Sequence, residues 1–472
     1  ALFNLMSLFR VKYLSFFFII ISILSFFNII YSYYFNLYLN LDTYLYTLII
    51  SLVFGVLLLL KKNILIKLNI YQKILTVIIG YLFLPLIISI PFYLSIYNLS
   101  LLNSYFEAIS GFTSTGFTIF NNIKHIDESL IIWRSTSQWI GGLYFLFSII
   151  LLIDIFDENF KKTLTNFLSL NLSETIKQGL KIILLYISIT LVIFLILKIF
   201  NFRTFDSFNL SMTLMSSGGF LPFNDISVIL NSEIKIIVFS LLMLSSYFSL
   251  FLSYNLFIKK RSFNFYLEDF YLFLYLLFVV SISYLLFAKD YNFSTIFFSI
   301  CSSVSNIGLS IGDKNYFLEF FFITLVIIGG SFFSTSSGLR LYKVYCIFIF
   351  SINELISHAK PKNIYINKLF LSDAKIKDED INKYFLTLLF LIISVFILSI
   401  LLSIHDFNFE NSIKIAILTL LNTVNSTNYI STQINFVDLS IFSKYLLIIF
   451  MMLGRIELLT IVIFLKKIFI KY

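Results

Sequence analysis

The feature that most constrains this chain is the length of its uninterrupted apolar runs. Residues 11–30, 45–60 and 384–402 hold one charged residue between them, Lys12. About 20 apolar residues in helical form match the roughly 30 Å hydrocarbon core of a bilayer. Backbone in lipid must satisfy its own hydrogen bonds, which favours the α-helix for runs of this length. Only 12% of the residues are charged and the mean hydropathy is +0.95, against about 25% charged in soluble domains. The expectation is an all-α polytopic membrane protein.

The first run is longer than the roughly 7–15-residue core of a signal peptide, and no small-residue cleavage site follows it. It is therefore read as a retained helix. The net charge of +9 would suit nucleic acid if it were clustered on one face. Instead the basic residues fall at Arg10 and Lys12, then within 61–73, 161–181, 259–261, 360–383 and 466–471. These are alternate loops, as the positive-inside rule requires. They predict cytoplasmic N- and C-termini, an even number of crossings and no nucleic-acid partner. Cys301 and Cys346 fall on opposite halves of the bilayer in this topology, so no disulfide is expected, and two thiols make no metal framework. His125, His358 and His405 read as solvated loop residues.

Between the basic segments we draw ten spans, at 12–33, 43–60, 74–97, 129–153, 180–200, 232–258, 266–288, 316–349, 384–404 and 437–465. The last eight form four units, each a helix, a half-length segment and a second helix. The half-length segments are SYFEAISGFTSTGFTIF (104–120), SFNLSMTLMSSGGFLPF (207–223), STIFFSICSSVSNIGLSIG (294–312) and SIKIAILTLLNTVNSTNYIST (412–432). Each opens with an apolar stretch too short to cross and then turns into Ser, Thr, Asn and Gly. Such a run reads as a re-entrant segment, and its recurrence marks an internal repeat. The chain is divided accordingly into 1–71 (two N-terminal helices) and four pore repeats at 72–178, 179–262, 263–352 and 353–472.

Irregular backbone at membrane depth survives only when it is buried in protein or lines a wet cavity. A short inward helix followed by an extended loop is how carbonyl oxygens replace an ion's hydration shell. Glycine suits the points where the chain must turn through positive φ. The motif tetrapeptides carry no carboxylate, which argues against a divalent-cation ring and for a large monovalent cation.

The segment YFEAISGFTSTGF (105–117), together with WRSTSQWIGGL (133–143) and GRIELLT (454–460), resembles the TrkH/KtrB/HKT superfamily of potassium transporters over about residues 72–472. Tyr105 stands where the family's first pore loop has Phe. The two extra N-terminal spans are closer to the ten-span TrkH branch than to the eight-span KtrB branch. The resemblance implies four helix–pore-loop–helix repeats around a central pore, with K+ held by backbone carbonyls. It implies filter segments Ser114, Thr115, Gly116 and Phe117; Ser217, Gly218, Gly219 and Phe220; and Asn306, Ile307, Gly308 and Leu309. In the fourth repeat it points to Ser426, Thr427, Asn428 and Tyr429, with Asn428 at the position of the glycine. Asn reaches the left-handed region at modest cost, and this departure leaves K+ against Na+ selectivity open.

In the family the second helix of the third repeat is broken by a gating loop. Here that implies Gly329, Gly330, Ser331, Ser334, Thr335, Ser336, Ser337 and Gly338; a small-residue packing face is the alternative. Arg455 matches an arginine that acts as an electrostatic barrier below the filter, with a buried structural ion pair as the alternative. Its neighbour Glu457 does not share a helix face with it. Glu107 is expected to be a buried hydrogen-bond acceptor, and Arg340 and Lys343 to snorkel to the headgroups.

The function this reading implies is uptake of monovalent cations, K+ foremost, with a Na+-permeable or weakly selective relative as the alternative. A membrane-embedded enzyme is the competing class. No phosphate-binding glycine loop or HExxH motif supports it, and no organic cofactor is expected. The resemblance further implies a homodimer docked on a cytosolic ring of nucleotide-binding regulatory subunits, in a bacterial plasma (inner) membrane. The basic stretches near 161–181 and 354–383 are candidate docking surfaces.

Overall fold

The computed structural model describes residues 11–60, 69–152, 175–250, 267–287, 289–312, 319–359, 378–432, 434–456 and 460. The described chain is helical with no strand. Helices α1 (Val11–Tyr34) and α2 (Leu41–Leu60) form an N-terminal hairpin. Four units follow. The first has α3 (Ile70–Ile88) and α4 (Ile90–Leu94), the short α5 (Leu101–Phe112), then α6 (Glu128–Leu151). The second has α7 (Thr175–Ile199), α8 (Thr204–Met215) and α9 (Glu233–Met243). The third has α10 (Leu267–Phe287), α11 (Phe293–Val304), then α12 (Glu319–Ile328) and α13 (Leu341–Ala359). The fourth has α14 (Asp378–Ser403), α15 (Phe409–Leu420) and α16 (Ile441–Arg455).

The regularity lies in the short helices. Each of α5, α8, α11 and α15 has 12 residues, about 18 Å at 1.5 Å per residue and so little over half a bilayer. Ser100 accepts a hydrogen bond from the Asn103 amide (3.3 Å) at the start of α5, a side-chain cap of the kind that fixes helix entry. Long lipid-length helices flank them, including Gly179–Ile199, Glu268–Phe287 and Glu379–Ser403.

The N-terminal hairpin docks on the first unit through polar contacts at one end. Asn28 Nδ2 donates to the Ser129 carbonyl (3.0 Å), and the Tyr44 hydroxyl pairs with the Ser129 hydroxyl (3.0 Å). Asn40 Nδ2 reaches Asp127 (3.2 Å). These groups would be costly in lipid unless paired, so they fix where the hairpin sits. At the other end Phe17 meets Tyr144 edge-on, with ring centroids 4.9 Å apart.

Two expected spans are interrupted. The 316–349 span is split into α12 and α13, as the Gly/Ser run at 329–338 suggested. The 232–258 span ends at Met243 and passes into turns; residues 251–258 lie outside the described set. The free Tyr247 and Ser246 carbonyls accept from the amides of Ser331 (2.9 Å) and Ser336 (3.1 Å). Unwinding in one helix therefore satisfies unwinding in another. His358, expected in a loop, lies in the last turn of α13.

Candidate functional site

The four short helices end alike. Two residues past each helix the chain takes a left-handed turn, at Ser114 (φ 58°), Ser217 (56°), Asn306 (59°) and Asn422 (48°). The next amide reaches back five residues: Thr115 to Ser110, Gly218 to Thr213, and Thr423 to Leu418 at 2.8–2.9 Å, with Ile307 to Ser302 at 3.1 Å. This fixes the register of the repeats. The residues one further on are Gly116, Gly219, Gly308 and Val424.

Equivalence by backbone geometry therefore falls on Val424 and not on Asn428. The Asn422-Thr423-Val424-Asn425 stretch takes the place expected for Ser426-Thr427-Asn428-Tyr429. Those latter residues form an outer turn lying against the third repeat. Thr427 Oγ1 donates to Ser310 Oγ (2.9 Å), Asn428 Nδ2 to the Leu309 carbonyl (3.0 Å), and the Tyr429 hydroxyl to Ser303 Oγ (3.0 Å).

The loops close into a ring. The second repeat meets the third where Ser217 Oγ donates to the Ser305 carbonyl (2.6 Å). The third meets the fourth where Asn306 Nδ2 donates to Thr423 Oγ1 (3.2 Å). The fourth meets the first where Asn422 Nδ2 donates to Thr115 Oγ1 (3.0 Å). The first meets the second where the Ile123 amide donates to Asn224 Oδ1 (2.7 Å). All four short helices point their C-terminal ends, each carrying about half a negative charge, at this ring. Among the described residues no group of three or more His, Cys, Asp or Glu is placed to hold a metal ion. Any cation held at the ring would meet neutral oxygens.

Only two of the four ring positions use left-handed backbone. Gly116 (φ 77°) and Gly308 (83°) do, whereas Gly219 and Val424 do not. The same two repeats tie down the following carbonyl. Ser110 Oγ donates to Phe117 O (2.6 Å) and Ser302 Oγ to Leu309 O (2.7 Å). The ring is thus built with two-fold rather than four-fold regularity.

The interrupted segment 329–340 lies beneath the ring. Thr335 Oγ1 donates to the Met215 carbonyl (2.8 Å) at the end of α8, and residues 329–337 are buried. Gly329 (φ 65°) and Gly338 (97°) pack backbone to backbone, leaving no space for a Cβ on either. Arg455 is buried, donates through Nη1 to Ser337 Oγ (2.7 Å), and lies 4.2 Å over the Phe145 ring. The arginine and the interrupted loop are in direct contact. Glu457 lies outside the described residues. Arg340 and Lys343 do not reach headgroups as expected: both are buried, and Arg340 Nη1 donates to the Ser331 carbonyl (2.7 Å). The carbonyls freed by breaking the helix give this guanidinium its acceptor inside the protein.

No protein-family model matches the chain. An uncharacterized cation transporter of Methanocaldococcus jannaschii is 25% identical over 453 residues, 92% of this chain and 91% of the relative. The Trk system potassium uptake protein TrkH of Escherichia coli is 23% identical over 389 residues, 78% and 79% of the two chains. The crystal structure of the potassium transporter TrkH from Vibrio parahaemolyticus superimposes with a TM-score of 0.84 at 18% identity, covering 97% of this chain and 99% of that one. Over most of its length the chain is thus similar to a cation transporter and to TrkH potassium uptake proteins, and it shares the fold of TrkH. The relatives are transporters and not enzymes.

A buried ion pair, unassigned in the sequence, braces the ring. Arg134 Nε donates to Glu107 Oε1 (2.8 Å), and both side chains are at most 1% exposed. Glu107 also accepts from the Ile119 amide (2.8 Å) and Thr118 Oγ1 (3.1 Å). Arg134 lies 4.2 Å over the Phe220 ring, linking the first and second repeats. Four residues along α6, Gln138 Oε1 accepts from the Phe220 amide (3.2 Å). The spacing Arg134–Gln138 within WRSTSQW was the available signal, since i and i+4 share a helix face. A second brace joins Lys414 to Glu319 and Glu410 (2.5 Å each), between the third and fourth repeats.

Proposed function

We propose that the chain carries monovalent cations, K+ foremost, across the plasma (inner) membrane through the ring formed by Ser114–Phe117, Ser217–Phe220, Asn306–Leu309 and Asn422–Asn425. The observation that carries this reading is the convergence of four 12-residue helices on one ring of neutral backbone. Carbonyls at the negative ends of such helices can replace a weakly hydrated cation's water without binding it too tightly to release. Similarity to a cation transporter and to a potassium uptake protein supports the same substrate class. A Na+-permeable or weakly selective pore is the second reading, favoured by the non-glycine at Val424.

In this proposal the 329–340 segment is the gate, held by Arg455, whose charge also limits cation passage below the ring. The chain works as a homodimer with a pore in each protomer and both termini cytoplasmic. A nucleotide-binding regulatory ring docks on its basic cytosolic stretches, of which 161–174 and 360–377 lie outside the described residues. The division at 72, 179, 263 and 353 follows the four repeats. The test is cation flux into proteoliposomes under an imposed gradient. K+ or Rb+ uptake above empty vesicles is expected; absence of K+, Rb+ and Na+ flux alike overturns the reading.

A further inference from the structure

Val424 occupies the ring position held by glycine in the other three repeats, and its side chain does not turn away from the ring. A Cβ built on Gly116 or on Gly219 would overlap Val424 Cγ2, and one built on Gly308 would meet the Val424 amide and carbonyl at 2.7 Å. The contacts above set the order of the repeats as first, second, third, fourth and back to the first. The second repeat is therefore opposite the fourth. A fourth-repeat methyl group that touches Gly219 has crossed the axis of the ring. Val424 is nonetheless partly exposed while the three glycines are buried, so its isopropyl group faces the lumen.

Resting on the transport reading, we infer that Val424 is an apolar seal at the level of the ring glycines, which limits flux and weakens discrimination between cations. A methyl group offers no oxygen, so an ion at this level would lose water without replacement. Apolar constrictions of this kind block ions by excluding water. The seal is also stiff, because a β-branched side chain has restricted χ1. Nothing in the backbone opposes it, since the fourth position lies outside the left-handed region that valine avoids. Passage then requires the isopropyl group to swing off the axis.

The experiment compares wild type with Val424→Gly, Val424→Ala and the isosteric Val424→Thr in proteoliposomes, each first checked for a monodisperse gel-filtration profile. Rb+ uptake and the K+/Na+ reversal potential are read. Uptake is expected to rise at least tenfold in Val424→Gly and less in Val424→Ala. Val424→Thr keeps the shape and adds an oxygen, so it should shift the K+/Na+ ratio. If wild type transports and neither small-residue variant exceeds it, the seal is overturned while the transport reading stands. If no variant transports any monovalent cation, both fall. Should Val424→Gly fail to fold, Val424→Ala and Val424→Thr decide the matter on the same criteria.

Discussion

Replacing Arg134 with methionine should cost the fold about 3–5 kcal/mol, the range for breaking a buried ion pair on one side. The structure supports that magnitude by parts. Arg134 donates to Glu107 Oε1 at 2.8 Å and to Thr118 Oγ1 at 3.0 Å. Hydrogen bonds to charged groups contribute about 1.5–3 kcal/mol each. The Phe220 ring at 4.2 Å adds about 2 kcal/mol in a desolvated setting, and the 3.4 Å contact to the Leu221 carbonyl is too long to count. Methionine returns part of this through packing. The Glu107 carboxylate, fully buried, keeps the Ile119 amide and Thr118 hydroxyl but loses its compensating charge. Glu107→Gln alone strands the guanidinium, whereas Glu107→Gln with Arg134→Met strands neither charge. The double variant should therefore lose about 2 kcal/mol less than the sum of the single losses, within the range for residues in direct contact. The assay is the apparent melting temperature followed by fluorescence-detected gel filtration. At about 2 °C per kcal/mol for a large domain, Arg134→Met should melt about 6–10 °C lower. A single-variant shift under about 1 °C, or additive losses, would refute the idea that this pair braces the ring.

Three further perturbations test other parts of the site. Ala at Gly116 or Gly308 meets a left-handed penalty of about 1–2 kcal/mol and should abolish Rb+ uptake; at Gly116, adding Val424→Gly should restore part of it, because the new Cβ overlaps Val424. Arg455→Ala and Ser337→Ala each break the 2.7 Å contact to the interrupted loop and should raise uptake several-fold, so a fall in both would remove that contact from gating. Burial alone would raise the Asp406 carboxyl, but the Ser443 and Ser440 hydroxyls and the Ser440 amide outweigh it and hold the group below its usual range. Its stabilising contribution is therefore present above the unfolded value of about 3.9 and is lost as pH falls through the lower folded value; Asp406→Asn should flatten the stability profile below about pH 4 and leave its shape at higher pH unchanged.

Much of the fold was legible because membrane burial writes itself into composition. Lipid-length runs gave the spans, and polar interruptions of fixed character gave the four re-entrant segments. The broken helix at 329–338 was readable because two glycine-containing ends with serines between cannot sustain a span. Arg340 and Lys343 were misplaced for the converse reason. Snorkelling is the default for a cation near a helix end, but the broken helix exposes the Ser331 carbonyl to Arg340. Residue order does not reveal that acceptor. The Glu107–Arg134 pair was equally hidden: the partners lie 27 positions apart, and only the return of the intervening loop, which lays α6 beside α5 in the same direction, brings them together.

The fourth loop shows why similarity among repeats can mislead at a single residue. Searching for a glycine substitute leads to Asn428, since asparagine tolerates positive φ and the stretch Ser426–Tyr429 is polar. That search assumes all four ring positions need left-handed backbone. The geometry shows that only the first and third do, and these are also the two repeats with a serine to anchor the next carbonyl. In the second repeat the equivalent pore-helix residue is Thr213, whose hydroxyl bonds back to Leu210 (3.1 Å), and in the fourth it is Leu418. The second and fourth positions need glycine only for space. A valine there changes what fills the ring without straining the chain that forms it. For that reason the fold tolerates Val424, and under the proposed transport role the consequence falls on conduction.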